Sequence, residues 1–196
     1  MGNLLDSLKA ELEQFGKEND GVHTECSQRM LNITRETGES LSVLVRAMHA
    51  RRLLEIGTSN GYSTLWLAEA AREVGGTVTS VDHSEFKLKL ASANFARAGL
   101  SPVIKLVRED AGLIIERLEP DAIDFVFLDS ERREYPRWWP HIRRALRPGG
   151  LLVADNAISH SEEMSPFIAL VNADSEFRTS LVPVGNGEFL AVKSIR

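Results

Sequence analysis

Acidic side chains close most of the short apolar runs of this chain. Asp82 ends the run from Thr77, and Asp110 follows the run Val103 to Val107. Asp129 ends the run from Ile123, and Asp155 with Asn156 ends the run from Leu151. Glu55 lies within Leu53 to Ile56, just before Gly57-Thr58-Ser59-Asn60-Gly61-Tyr62-Ser63. If these runs are parallel strands, ligands collect outside their carboxyl ends, where glycine lets a bound molecule approach the backbone. Asp82, about one βαβ unit beyond the glycine turn, can accept hydrogen bonds from both hydroxyls of a ribose. Asp110 can reach an adenine edge. Oxygen donors from Asp129, Asp155 and Asn156 suit Mg²⁺ or a similar hard cation that keeps positions open for water or substrate.

Plainer uses stand beside these. Asp110 can cap a helix from Ala111, Asp82, Asp129 and Asp155 can cap loops, and a glycine turn can be no more than a tight βα connection. Glu55 is different, because an unpaired carboxylate at the mouth of an apolar strand is costly. The sequence therefore predicts a partner for it, such as an ammonium group or a backbone amide.

The elements that must position these residues are legible as alternation. Strands are predicted over Leu53 to Ile56, Thr77 to Asp82, Val103 to Val107, Ile123 to Asp129 and Leu151 to Asp155, with helices near 62–73, 84–98, 111–118 and 135–146. Near-continuous apolar strands alternating with helices predict an α/β fold, a parallel sheet covered on both faces. Ser84 is placed to cap the helix at 84–98 and Gly99 to close it, while Pro148-Gly149-Gly150 is read as a stop before the fifth strand. The turn-rich link Pro183-Val184-Gly185-Asn186-Gly187 joins Phe177 to Val182 with Phe189 to Val192 as an antiparallel hairpin. Leu4, Leu5, Leu8, Leu12 and Phe15, then Leu41, Leu44, Val45 and Met48, recur at helical spacing ahead of the first strand. This N-terminal part, 1–50, is expected to cover the site or to form a homodimer contact.

Composition narrows the function classes. At 196 residues, 43% hydrophobic and 26% charged, the chain suits one globular domain over 1–196 and not a disordered or fibrous one. A net charge of -5 leaves no basic surplus for a phosphate backbone, so nucleic acid is excluded as the expected partner and a small molecule is favoured. No apolar run approaches the ~20 residues of a membrane span, and no signal-like leader is present, so a cytoplasmic location is expected. Cys26 stands alone and is read as a bystander. The turn is G-x-x-x-G, with Ser59 and Tyr62 where a dinucleotide fingerprint has glycines, which disfavours a nicotinamide cofactor.

Taken in order, LLEIGTSNGYSTLWLA, VTSVDHSE, EDAGLIIERL, IDFVFLDSERREY, LRPGGLLVADNA and PVGNGEFLAVK resemble the cation-dependent O-methyltransferases, the group that includes the catechol and caffeoyl-coenzyme A enzymes. The similarity runs from about Thr37 to Lys193. It implies a Rossmann-like sheet of seven strands with a C-terminal antiparallel hairpin, and S-adenosylmethionine as cofactor. It also implies methyl transfer to a hydroxyl of a small catechol-like or phenolic substrate. Glu55, Gly57, Ser63, Asp82, Asp110 and Ala111 would surround that cofactor, with Thr58, Ser59 and Gly61 of the turn and His83 beside Asp82. Asp129, Asp155 and Asn156 would hold the divalent ion, Mg²⁺ by preference. The ion would lower the pKa of a phenolic hydroxyl from about 10.

One position departs from the family. Members usually carry lysine three residues after the first metal aspartate, as a candidate base, and here Arg132 stands there. Arginine has no acceptor and stays charged, so of the catalytic pair Asp129 and Arg132 the second cannot take the proton. It can steady a phenolate or bind an acidic substrate group. Two other functions remain open: a metal-independent methyltransferase, and a cofactor-binding protein without turnover. His160 in the polar loop 157–163 is read as an exposed residue before a replacement base. Tyr135, Trp138, Trp139, Ile142 and Leu146 form one helical stripe, so the tryptophans are assigned to the core and not to a substrate platform.

Overall fold

The computed structural model describes residues 2–25 and 27–195, so Cys26 lies outside the described residues. Two helices, α1 (Gly2–Val22) and α2 (Arg35–Ala47), precede β1 (Arg52–Ile56). Then follow α3 (Tyr62–Glu73), β2 (Thr77–Asp82), α4 (Glu85–Ala98), β3 (Ile104–Arg108), α5 (Ala111–Glu116), β4 (Ile123–Leu128), α6 (Tyr135–Ala145) and β5 (Leu146–Ala154). The chain closes with α7 (Ser161–Asn172), β6 (Phe177–Val182) and β7 (Glu188–Lys193). The sheet order is β3-β2-β1-β4-β5-β7-β6. β1 to β5 pair in parallel, and β7 runs antiparallel to both β5 and β6. The expected α/β class and terminal hairpin are both present.

Side chains alternate across the strands, and so the sheet divides the apolar residues into two cores. Leu53, Val78, Phe125, Phe127, Leu151 and Val153 face the side covered by α1 to α4. Leu54, Ile56, Val81, Val126, Leu128 and Leu152 face α5, α6 and α7. Leu5, Leu8 and Leu12 of α1 are buried in the first core, so the leucine face of this helix is used within the chain. Lys9 is buried with them, paired to Glu69 at 2.7 Å and lying 3.6 Å over the ring of Trp66. Trp138 and Trp139 are buried in the second core, where Trp139 meets Phe177 at 4.7 Å and Phe167 at 6.1 Å. Among the described residues no helix is long and apolar enough to cross a membrane.

Several local readings are met by geometry. The Ser84 hydroxyl accepts from Lys87 N, Gly99 closes α4 in the left-handed region, and Asp110 caps α5 by accepting from Leu113 N at 3.0 Å. Others need correction. α2 begins at Arg35, six residues ahead of the apolar positions that start at Leu41, because the Thr34 hydroxyl caps it through Thr37 N. Pro148-Gly149-Gly150 does not precede the fifth strand but lies within it. β5 pairs Leu146 with Ile123, then resumes at Leu151 with Phe125, and the intervening residues form a bulge with Gly149 at φ +72°. α7 had no counterpart in the sequence reading, although Met164, Phe167 and Val171 supply its buried face at helical spacing.

Candidate functional site

The parallel register sets a row of residues one step beyond the strand ends. Ile56 pairs with Val81 and with Leu128, and Leu128 pairs with Ala154. Continuing that register aligns Asp82, Gly57, Asp129 and Asp155 side by side. The ladder is kept there by Gly57 N to Val81 O at 2.9 Å, Asp129 N to Ile56 O at 2.9 Å and Asp155 N to Leu128 O at 3.0 Å. β7 extends the row: Ala154 pairs with Phe189, so Asp155 stands against Glu188. Most of the residues singled out by type and spacing thus meet at one carboxyl edge, where the strand order reverses between β1 and β4.

The Glu55 carboxylate is fully buried and is held by hydroxyls. Ser63 Oγ donates to Oε1 at 2.6 Å, and Thr64 Oγ1 and Ser80 Oγ each donate to Oε2 at 2.5 Å. These hydroxyls are the partners that the protein itself supplies, and no backbone amide is among them. Burial still dominates, raising the Glu55 pKa to about 7 despite the three donors. Thr64 and Ser80 were missed; Ser80 was visible only as a polar residue inside an apolar strand.

The turn after β1 is tightly built. Gly57 has φ +108° and Gly61 φ +88°, and Ser59 sits at φ 48°. Ser59 N donates to Asp82 Oδ2 at 2.9 Å, and Ser84 N donates to Asp82 Oδ1 at 2.9 Å. Each Asp82 oxygen is therefore fixed by one amide and keeps a lone pair for a ligand hydroxyl. The Thr58 hydroxyl meets Ser80 Oγ at 2.6 Å. Ser59 Oγ donates to Met30 O at 2.6 Å, while Asp20 accepts from Met30 N and Leu31 N at 2.6 and 2.8 Å. The α1–α2 connection is thereby strapped to the turn, a contact with no signal in the sequence. Asp110 is exposed, Ala111 partly so, and the His83 side chain is 93% exposed, outside the buried cluster.

Asp129, Asp155 and Asn156 are drawn together. Asn156 Nδ2 donates to Asp129 Oδ1 at 3.2 Å and to Asp155 Oδ2 at 3.1 Å, and its φ of 68° is the left-handed value that turns the amide back toward them. Burial, then the charge of Asp155, raises the Asp129 pKa well above the carboxylate range; burial likewise raises Asp155. The Arg132 guanidinium opposes both shifts. Glu188, also missed, is 2% exposed and accepts from the Thr37 hydroxyl at 2.9 Å. Its pKa rises to about 9 through burial and the adjacent Asp155.

Two crowded carboxylates opposed by a single guanidinium are what a divalent cation relieves. Among the described residues no group of three His, Cys, Asp or Glu side chains is spaced to hold a metal, so a site here needs the Asn156 amide as its third donor. Turning that amide by half a rotation presents its oxygen where the nitrogen now lies, giving three oxygens of the kind Mg²⁺ prefers. The residues fit such an ion. Arg132 is held by Glu163, Nε to Oε2 at 3.0 Å. His160 pairs with Ser159 Oγ at 2.9 Å in an exposed loop.

Comparison with known proteins gives a consistent result. Residues 9–194 match the family model described as O-methyltransferase. A protein of Mycobacterium sp. (strain JLS) that carries this family's name is 30% identical, over 96% of this chain and 93% of its own. A catechol O-methyltransferase of Niastella koreensis is 30% identical over 68% of this chain and 62% of its own. Among solved structures, the O-methyltransferase from Bacillus cereus in complex with SAH superimposes with a TM-score of 0.80 at 25% identity, covering 96% of this chain and 91% of that one.

Proposed function

The chain belongs to the O-methyltransferase family, and from that premise we propose that it moves the methyl group of S-adenosylmethionine to a hydroxyl of a small catechol-like or phenolic acceptor, assisted by a divalent cation, Mg²⁺ by preference. The observation that supports this reading is the convergence of Asp129 and Asp155 on Asn156, whose amide lies within hydrogen-bond distance of both carboxylates. Relatives support the cofactor: the Bacillus cereus structure is a complex with SAH.

In this reading Asp82 accepts the ribose hydroxyls, the Gly57–Gly61 turn lets the cofactor lie against the backbone, and Asp110 with Ala111 borders the adenine. Glu55, fixed by Ser63, Thr64 and Ser80, presents negative charge toward the methionine ammonium. S-adenosylmethionine supplies the electrophilic methyl, and a cation on Asp129, Asp155 and Asn156 supplies the Lewis acidity that makes the acceptor hydroxyl a better nucleophile. The protein's own part is placement: rigid strand ends hold donor and acceptor oxygens in line, which supplies much of the rate in reactions of this type. Arg132 cannot serve as the base and instead balances Asp129 and Asp155. We also propose a homodimer, supported by the exposed apolar side chains Leu4, Val22 and Val43 on α1 and α2.

The test is calorimetric titration of S-adenosylmethionine with and without Mg²⁺, followed by catechol in the same cell. Catechol binding that requires the ion supports the cation-assisted reading. Cofactor binding with no effect of Mg²⁺ on catechol supports a metal-independent methyltransferase instead. Asp155→Ala is expected to leave cofactor affinity nearly intact while abolishing Mg²⁺-dependent turnover.

A further inference from the structure

At the edge of the sheet where the parallel strands begin, a cavity of about 500 Å³ opens, lined in part by His49, Arg51, Arg52, Asp124 and Arg147 and by the Gly75-Gly76 turn. Arg52 starts β1 and Ile56 ends it, so this cavity lies roughly 13 Å from the cofactor corner at about 3.3 Å per strand residue. Three guanidiniums face one carboxylate, in a chain whose net charge is -5.

Asp124 does not cancel this surplus. It is 5% exposed and its oxygens are already engaged. Oδ2 accepts from Arg51 N and Arg52 N, both at 2.8 Å, and Oδ1 accepts from Arg52 Nη2 at 2.9 Å and Arg147 Nε at 2.7 Å. The carboxylate acts as a strut that fixes two guanidiniums at the cavity. Arg51 is bound only through Nε, to Val74 O at 3.2 Å, and among the described residues its terminal nitrogens have no acceptor. A side chain at Gly76 would collide with the Arg51 backbone, 2.6 Å from its Cα, so glycine there lets the turn close against Arg51.

We propose that this cavity binds a phosphorylated small molecule, with the phosphate held by the Arg51 fork and by Arg52, Arg147 and His49. Guanidinium N–H pairs match phosphate oxygens in geometry and charge. The cavity is open to solvent, so an organic body can extend beyond the phosphate.

The test is calorimetry on the full chain at low ionic strength, with ribose 5-phosphate, ribose and inorganic phosphate as parallel titrants. Ribose 5-phosphate is expected to saturate, ribose not to bind, and inorganic phosphate to bind more weakly than the sugar phosphate. Arg51→Gln is expected to lower ribose 5-phosphate affinity at least tenfold and Arg51→Lys less, with SAH affinity unchanged in both as a control for folding. Absence of saturable binding, equal affinity for ribose, or unchanged affinity in Arg51→Gln overturns the proposal. Inorganic phosphate binding as tightly as ribose 5-phosphate overturns the small-molecule part in favour of a free-anion site.

Discussion

A β-carbon placed on Gly57 would stand 1.9 Å from the carbonyl oxygen of Asp129. The backbone of the glycine turn and that of the strand end bearing the first proposed metal ligand are therefore in direct contact, and the proposed cofactor and cation sites share one wall. Gly57 also has φ +108°, so any side chain there is strained before it clashes. Gly57→Ala is expected to cost about 3 kcal/mol or more, a fall in Tm of roughly 6 to 12 °C for a chain of this size. Thermal melting with SAH titration checks it; a melting point within about 2 °C of wild type, a cost of roughly 1 kcal/mol or less, means that the turn yields to a side chain.

Glu55 links stability to pH. Its pKa is raised from 4.5 to about 7, chiefly by burial. A carboxyl raised in this way keeps its proton longer in the folded chain than in the unfolded one. The ligand-free protein is thus favoured below pH 4.5 and loses that contribution as pH rises through about 7. Glu55→Gln removes this component. Urea unfolding of the ligand-free variant between pH 5 and 8 is expected to be flatter than wild type, while its S-adenosylmethionine affinity at pH 8 falls. Parallel stability curves for the two proteins would exclude Glu55 as the source.

The acids that close the strands were readable because strand ends, periodicity and glycine are local signals, and the row formed by Asp82, Gly57, Asp129 and Asp155 follows from them once the strand order is known. Glu188 and Ser80 were not, because what makes them important is a neighbour in another strand or helix: Asp155 for the first, Glu55 for the second. The Met30 strap depends on a single hydroxyl-to-carbonyl contact between distant segments, to which no spacing rule applies. Pro148-Gly149-Gly150 misled for a related reason. Its residues do break a ladder, but the partner strand continues, and so the break becomes a bulge inside β5.

Asp124 is the opposite case to Glu55. Hydrogen bonds from Arg52, Arg147 and the Arg51 and Arg52 amides hold its carboxyl well below the usual range even though burial opposes them. For a lowered pKa the stabilisation is present above 3.8 and disappears as pH falls toward the folded value. Asp124→Ala leaves guanidiniums and amides without their acceptor and is expected to cost about 2 to 4 kcal/mol at pH 7. Denaturant unfolding at pH 7 and pH 3 checks this: the gap between wild type and variant should shrink at the lower pH, and a gap that widens contradicts the assignment.

Arg132 stands where the resemblance leads one to expect a lysine, and its charge lowers the pKa of both Asp129 and Asp155 against the effect of burial. Two consequences of removing it have opposite signs. In Arg132→Met both carboxyls hold their protons more tightly, so Mg²⁺ must displace protons to bind and its affinity falls at low pH. The same change removes a positive charge that repels the cation, which favours binding once both carboxyls are ionised. The variant is therefore expected to bind Mg²⁺ more weakly than wild type at pH 6.5 and equally or more tightly at pH 8.5, whereas Arg132→Lys, which retains the charge, should follow wild type. Mg²⁺ titration by calorimetry at the two pH values measures this directly. A uniform loss at both values would mean that Arg132 supports the site through its contact with Glu163 and not through charge.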